Sequence, residues 1–230
     1  MKQKTARELI VKLLKEKSTL KQDIFQNTIA QFGELKKNLK QISEDLKSEI
    51  SGVDKRVIIE YKERGDNEVE LRVAGDLLIF HMHSNVFEFD KSHPVWKTSY
   101  VKDNVYNSYC GMIVVYNFLA DSFKYNRGND VGYLIARIFI NSENHFFVEG
   151  KRQLGFLYND FVNSKLDAST LKKIAESTIL YALDFDLLTP PFDSVKEVSV
   201  SEVIEAANQL QIQTGKRLGF RFQADNDQTE

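Results

Sequence analysis

The feature that most constrains this chain is a change of hydrophobic period at Ser51-Gly52. Before it, apolar residues recur every three or four positions, which lines one face of a helix; after it they alternate, which lines one face of a strand. Neither pattern suits the other backbone, since alternation on a helix scatters apolar side chains around the whole circumference. A helical region over residues 1–53 and an α+β domain over 54–230 are therefore expected.

Within the first region, Thr5-Ala6-Arg7-Glu8 matches a capping box. There the threonine hydroxyl and the glutamate carboxylate satisfy N–H groups that the first turn leaves unpaired. Leu9, Ile10, Leu13 and Leu14 follow at helical spacing, and Ser18 or Thr19, with Gln22, offers a second start. The spacing predicts a short first helix, a break or kink near Lys17–Thr19 and a long second helix, that is, a helical hairpin or a short coiled coil. The long helix carries Phe32, Leu35, Leu39, Ile42 and Leu46 at alternating spacings of three and four. This is the narrow seam that coiled coils bury. Leu20, Ile24 and Phe25 lie out of phase with it, as at a stutter. The seam has two destinations open to it: a second copy or helical partner, or the rest of its own chain.

Past Gly52, Arg56–Lys62 and Glu68–Ala74 alternate around the turn-rich Arg64-Gly65-Asp66-Asn67, a hairpin signal. Leu77–His83 and Val86–Phe89, separated by Ser84-Asn85, read as a strand, a turn and a return strand. Gly111–Phe118, Tyr133–Asn141 and His145–Glu149 add three more, the last two joined by Ser142-Glu143-Asn144. Short strands with tight turns and few crossovers favour an antiparallel meander of about five to seven strands, here over residues 54–150. Helices return over 151–215. Leu154, Leu157, Tyr158, Phe161 and Val162 have helical spacing, Asp167, Ser169 or Thr170 can cap a helix through Leu183, and Ser199-Val200-Ser201-Glu202 is a second capping box. These helices are expected to pack on one sheet face. A last strand is expected at 218–223, followed by a frayed polar tail at 224–230.

With 230 residues, 42% hydrophobic and 28% charged, the chain can bury a sizeable core. Its net charge of -2 gives no overall case for nucleic acid or an anionic membrane, and the charges of the first helices are interleaved in sign, as on a solvated face. No membrane segment is expected. A single cysteine, Cys110, excludes an internal disulfide and a multi-thiolate zinc site and fits a cytoplasmic setting. It reads as a small buried apolar residue.

Three groups of residues invite a chemical reading. His81 and His83 share one strand face with β-carbons ~7 Å apart. With Glu60 as a third donor they would hold one divalent metal, and Glu60 and Lys62 together would suit a metal-dependent hydrolase or nuclease. Two imidazoles near a strand end need no such role, so this is the alternative reading. The loop Tyr125–Tyr133 with the strand before it gathers Tyr116, Asn117, Tyr125, Asn126, Arg127 and Asp130, aromatic and hydrogen-bonding groups suited to a ligand. Neither G-x-S-x-G, H-E-x-x-H nor a phosphate-binding glycine loop is present. The favoured expectation is a non-enzymatic binding or adaptor module. In that reading the N-terminal helices meet a second copy or a helical partner, the sheet domain recognises a ligand or protein, and no cofactor is required.

Overall fold

A computed structural model describes residues 5–186 and 188–209. It shows a long N-terminal helical rod, a seven-stranded antiparallel sheet and further helices, a mixed α+β fold. The rod comprises α1 (Ala6–Leu13) and α2 (Thr19–Ile50), joined by a π-helical turn at Leu14–Ser18. The expected capping box is formed, with the Thr5 N–H donating to Glu8 and the Glu8 N–H to Thr5 Oγ1. Where the spacing predicts a break, the backbone stays right-handed, and Thr19 Oγ1 donates back to the Leu14 carbonyl at 3.3 Å. The rod therefore runs on and does not fold into a hairpin.

The strands are β1 (Ile59–Glu63), β2 (Glu68–Val73), β3 (Asp76–Met82), β4 (Phe87–Glu88), β5 (Tyr109–Leu119), β6 (Tyr133–Ile140) and β7 (Phe146–Gly150). Their order is β1-β2-β3-β5-β6-β7, with β4 also on β5. The segment after Ser84-Asn85 differs from the expected return strand. Met82 pairs with Ile113 and Phe87 with Cys110, so β4 continues in the direction of β3 along the same neighbour. Ser84-Asn85 thus lies in an outward excursion, held by the Asn85 N–H donating to His83 Nδ1 at 3.0 Å.

Alternation gives the sheet two unlike faces. One presents Val69, Leu71, Leu78, Phe80, Met82, Ile113, Val115, Ile138 and Val148 to the main core. Into the same core go Phe32, Leu35, Leu39 and Ile42 of α2, with Leu46 packed at its margin. The seam is thereby spent on the chain's own sheet and not on a second helical chain. The other cover is α6 (Ala168–Leu183), opened by Asp167, whose carboxylate accepts from the Thr170 N–H at 2.7 Å. It buries Leu171, Ile174, Ala175 and Ile179 beside α2. Close approach of α2 to the sheet depends on Gly111, where an added β-carbon would lie 2.0 Å from Thr28 Oγ1.

The opposite face is capped at one end by residues 89–108, which include the short helix α3 (Ser99–Asp103). Val95, Val101, Cys110, Phe139, Phe147 and Phe161 form a second core beneath it. The remaining α-helices among the described residues are α4 (Ala120–Lys124), α5 (Gln153–Leu157), α7 (Phe192–Val195) and α8 (Val200–Gln209). A helix through Val162 does not form. Asp160 instead accepts from the Asn163 backbone and side chain, a local turn that ends helical progress, and Phe161 enters the second core. The capping box at Ser199–Glu202 opens α8. The strand expected at 218–223 and the tail lie outside the described residues. Among the described residues no helix is long and apolar enough to cross a membrane.

Candidate ligand-binding site

A cavity of about 670 Å³ lies between β7, the turn at His93–Thr98 and residues 155–162. Its apolar wall comes from Pro94, Val95, Phe147, Val148, Phe161 and Val162, and its polar groups are His93, Thr98, Glu149, Asn159 and Asp160. A mostly apolar hollow with a few fixed polar groups is the usual form of a small-molecule site.

Each polar group is placed by the local chain. Proline at 94 keeps His93 extended, and His93 Nδ1 then accepts from the Val95 N–H at 3.3 Å, capping a short 3-10 turn. Its Nε2 lies 3.1 Å from Glu149 Oε1, and the two partners assign the tautomer with the proton on Nε2. Phe89 stacks on the imidazole at 4.5 Å between ring centres. Glu149 also pairs with Arg137, its cross-strand neighbour on β6. Behind the wall, His145 Nδ1 donates to the Phe161 carbonyl at 3.0 Å, and Tyr100 stacks on the ring at 4.5 Å. Asp160 is held below the ordinary aspartate range by its bonds to the Asn163 side chain and backbone. At the floor, an added β-carbon on Gly155 would come within 2.5 Å of the Gly150 carbonyl oxygen, so the chain crosses itself there only as glycine.

The residues singled out in sequence are distributed differently. Asn126, Arg127 and Asp130 line a second, smaller cavity of about 430 Å³ with Phe118, Ser122, Phe123 and Gly128. There Arg127 pairs with Asp130 at 3.0 Å and Ser122 donates to the same carboxylate at 2.6 Å. These groups close on one another and brace the loop. Tyr116 and Tyr125 are partly exposed nearby in sequence, but Asn117 pairs with Leu78 on the core face and donates to Asp76. Tyr116 pairs with Ile79 on the opposite face, so the six residues do not form one site.

His81 lies opposite Glu68, whose carboxylate is 3.4 Å from His81 Nδ1. His83 Nδ1 is taken by the Asn85 N–H, and its ring meets Phe87 edge-on at 4.7 Å. Glu60 pairs with Arg72, two strands from His81 and four residues along from Glu68, or about 13 Å at strand rise. The structure does not bring Glu60 to the histidines. Among the described residues no group of three or more His, Cys, Asp or Glu side chains is arranged to hold a metal ion. Cys110 is wholly buried, and burial pushes its thiol pKa up.

Sequence reasoning passed over Arg137, Glu149 and Asp160. The Arg137–Glu149 pair had a signal, since a hairpin centred on Glu143 sets residues 137 and 149 opposite each other. Compared with family models, curated proteins and solved structures, the chain matches none. The class supported by fold and site is therefore read from geometry alone: an α+β domain with a ligand-sized cavity at one end of its sheet.

Proposed function

We propose that this protein is a non-catalytic binding module whose sheet domain takes a small ligand in the cavity beside β7. The observation that carries the reading is the engagement of His93. Both ring nitrogens are occupied, one by a backbone N–H and one by Glu149, so the imidazole orients the rim and has no free nitrogen to serve as a base. Arg137 offsets Glu149, while Asp160 bears its charge at the cavity with only neutral donors on it. An apolar body with a hydrogen-bond-donating, cationic head fits that lining. Contact with a protein partner, the other half of the reading, falls to α1 and the π-helical turn after it, whose Leu9, Ile10, Leu13 and Leu14 are exposed, since the seam of α2 is used internally.

A thermal-shift panel of aryl-alkyl amines and their carboxylate analogues tests this. The amines should raise Tm, by about 2.7 kcal/mol of added stability at a hundredfold excess over Kd. The shift should vanish in Val162→Trp, which fills the cavity from its half-exposed wall. Equal shifts with carboxylates, or shifts that survive Val162→Trp, would overturn the assignment.

A further inference from the structure

The two edges of the sheet are treated differently. On β7, the Val148 N–H donates to the Tyr158 carbonyl at 2.7 Å and the Phe146 N–H to Ser164 at 3.3 Å, so following chain covers that edge. At the other end β1 terminates the strand order, and among the described residues no strand pairs with its outer side. The bonding parity of β1 is fixed by its flanks: the Ala74 N–H donates to the Ile58 carbonyl and the Arg64 N–H to Glu68. Even-numbered residues therefore bond to β2, and Ile59, Tyr61 and Glu63 turn their backbone groups outward.

From this we propose that β1 is a self-complementary edge that pairs antiparallel with β1 of a second copy, about a two-fold axis at Tyr61. In that register the outward groups of Tyr61 meet those of the second Tyr61, and Ile59 meets Glu63, a hydrogen-bonding ladder of the correct parity. Between them Glu60 falls opposite Lys62 of the second copy, and Lys62 opposite Glu60, at the closer non-bonded positions. Within each chain Glu60 already faces Arg72 and Lys62 faces Glu70. The sign of charge thus alternates along each row, Arg72–Glu60 then Lys62–Glu70, without interruption across the axis. Shifting the register by two residues sets Lys62 opposite Lys62 in one direction and Glu60 opposite Glu60 in the other. Charges on an edge strand usually discourage pairing; here their order favours one partner, the same strand reversed. The contact is isologous and closed, so it yields a dimer with one continuous sheet and no fibre.

The test is light scattering on sized, full-length protein. Wild type should run as a dimer at high micromolar concentration, and Glu60→Lys and Lys62→Glu, each of which sets like charges opposite, should each weaken dimerisation about tenfold. Mixed in equal amounts, the two variants should form a one-to-one heterodimer, because every pair across the axis is then again of opposite sign. A requirement of these side chains only for folding would not produce that rescue. If either variant fails to fold, hydrogen exchange on wild type decides: the Ile59, Tyr61 and Glu63 amides should lose protection on dilution. A monomeric wild type, a dimer indifferent to both substitutions, or edge amides whose protection is independent of concentration would overturn the proposal.

Discussion

Gly111 shows how much a single position holds in this fold. It lies where α2 crosses β5, and any β-carbon there meets Thr28 Oγ1 at 2.0 Å and Thr28 Cβ at 2.9 Å. Thr28 cannot simply rotate away, since it is buried and its hydroxyl donates to the Ile24 carbonyl at 2.7 Å. Gly111→Ala should therefore destabilise by about 1–3 kcal/mol in urea unfolding. The cost should shrink in a Thr28→Ala background, where the nearest atom is gone. At this scale the sequence was partly legible. The shared strand of His81 and His83 follows from spacing, and the facing of Arg137 and Glu149 follows from the turn at Glu143. The approach of His93 to Glu149, across 56 residues, does not follow, because it depends on how a 3-10 turn after Pro94 lies over β7.

Among the elements, those with strong local signals form as expected, and those that depended on tertiary packing differ. The capping boxes at Thr5 and Ser199 and the Asp167 cap all appear, since each is settled within four residues. The β4 segment and the helix expected through Val162 differ because pairing with β5 and burial of Phe161 outweigh local preference. The Asp167 cap gives a direct check on α6. Its carboxylate accepts from the Thr170 backbone and side chain, which hold its pKa below the ordinary aspartate value. A depressed pKa supplies stability above the unfolded value of ~3.9 that is lost as pH falls through the folded value. Asp167→Ala should thus cost about 1 kcal/mol at neutral pH. The difference from wild type should begin to narrow only below about pH 4, where the unfolded aspartate takes up its proton, and should close as pH falls through the lower pKa of the folded cap. An unchanged urea midpoint at pH 7 would show that the cap contributes nothing.

For the whole molecule, the seam of α2 decides the architecture. Its five residues have coiled-coil spacing, yet they lie against the chain's own sheet beside α6. Spacing reports that a face is buried, not which surface buries it, and that choice is made by distant residues. The same holds for the site: sequence pointed to the loop at 125–130, whereas the larger cavity is assembled from three separated segments around β7. The measurement that tests the binding assignment most directly is NMR mapping of backbone amide shifts during titration with an aryl-alkyl amine. Shifts should concentrate at Val95, Thr98, Glu149, Asp160 and Val162 as the cavity fills. Shifts centred instead on Asn126, Arg127 and Asp130, or spread without saturation, would contradict the account.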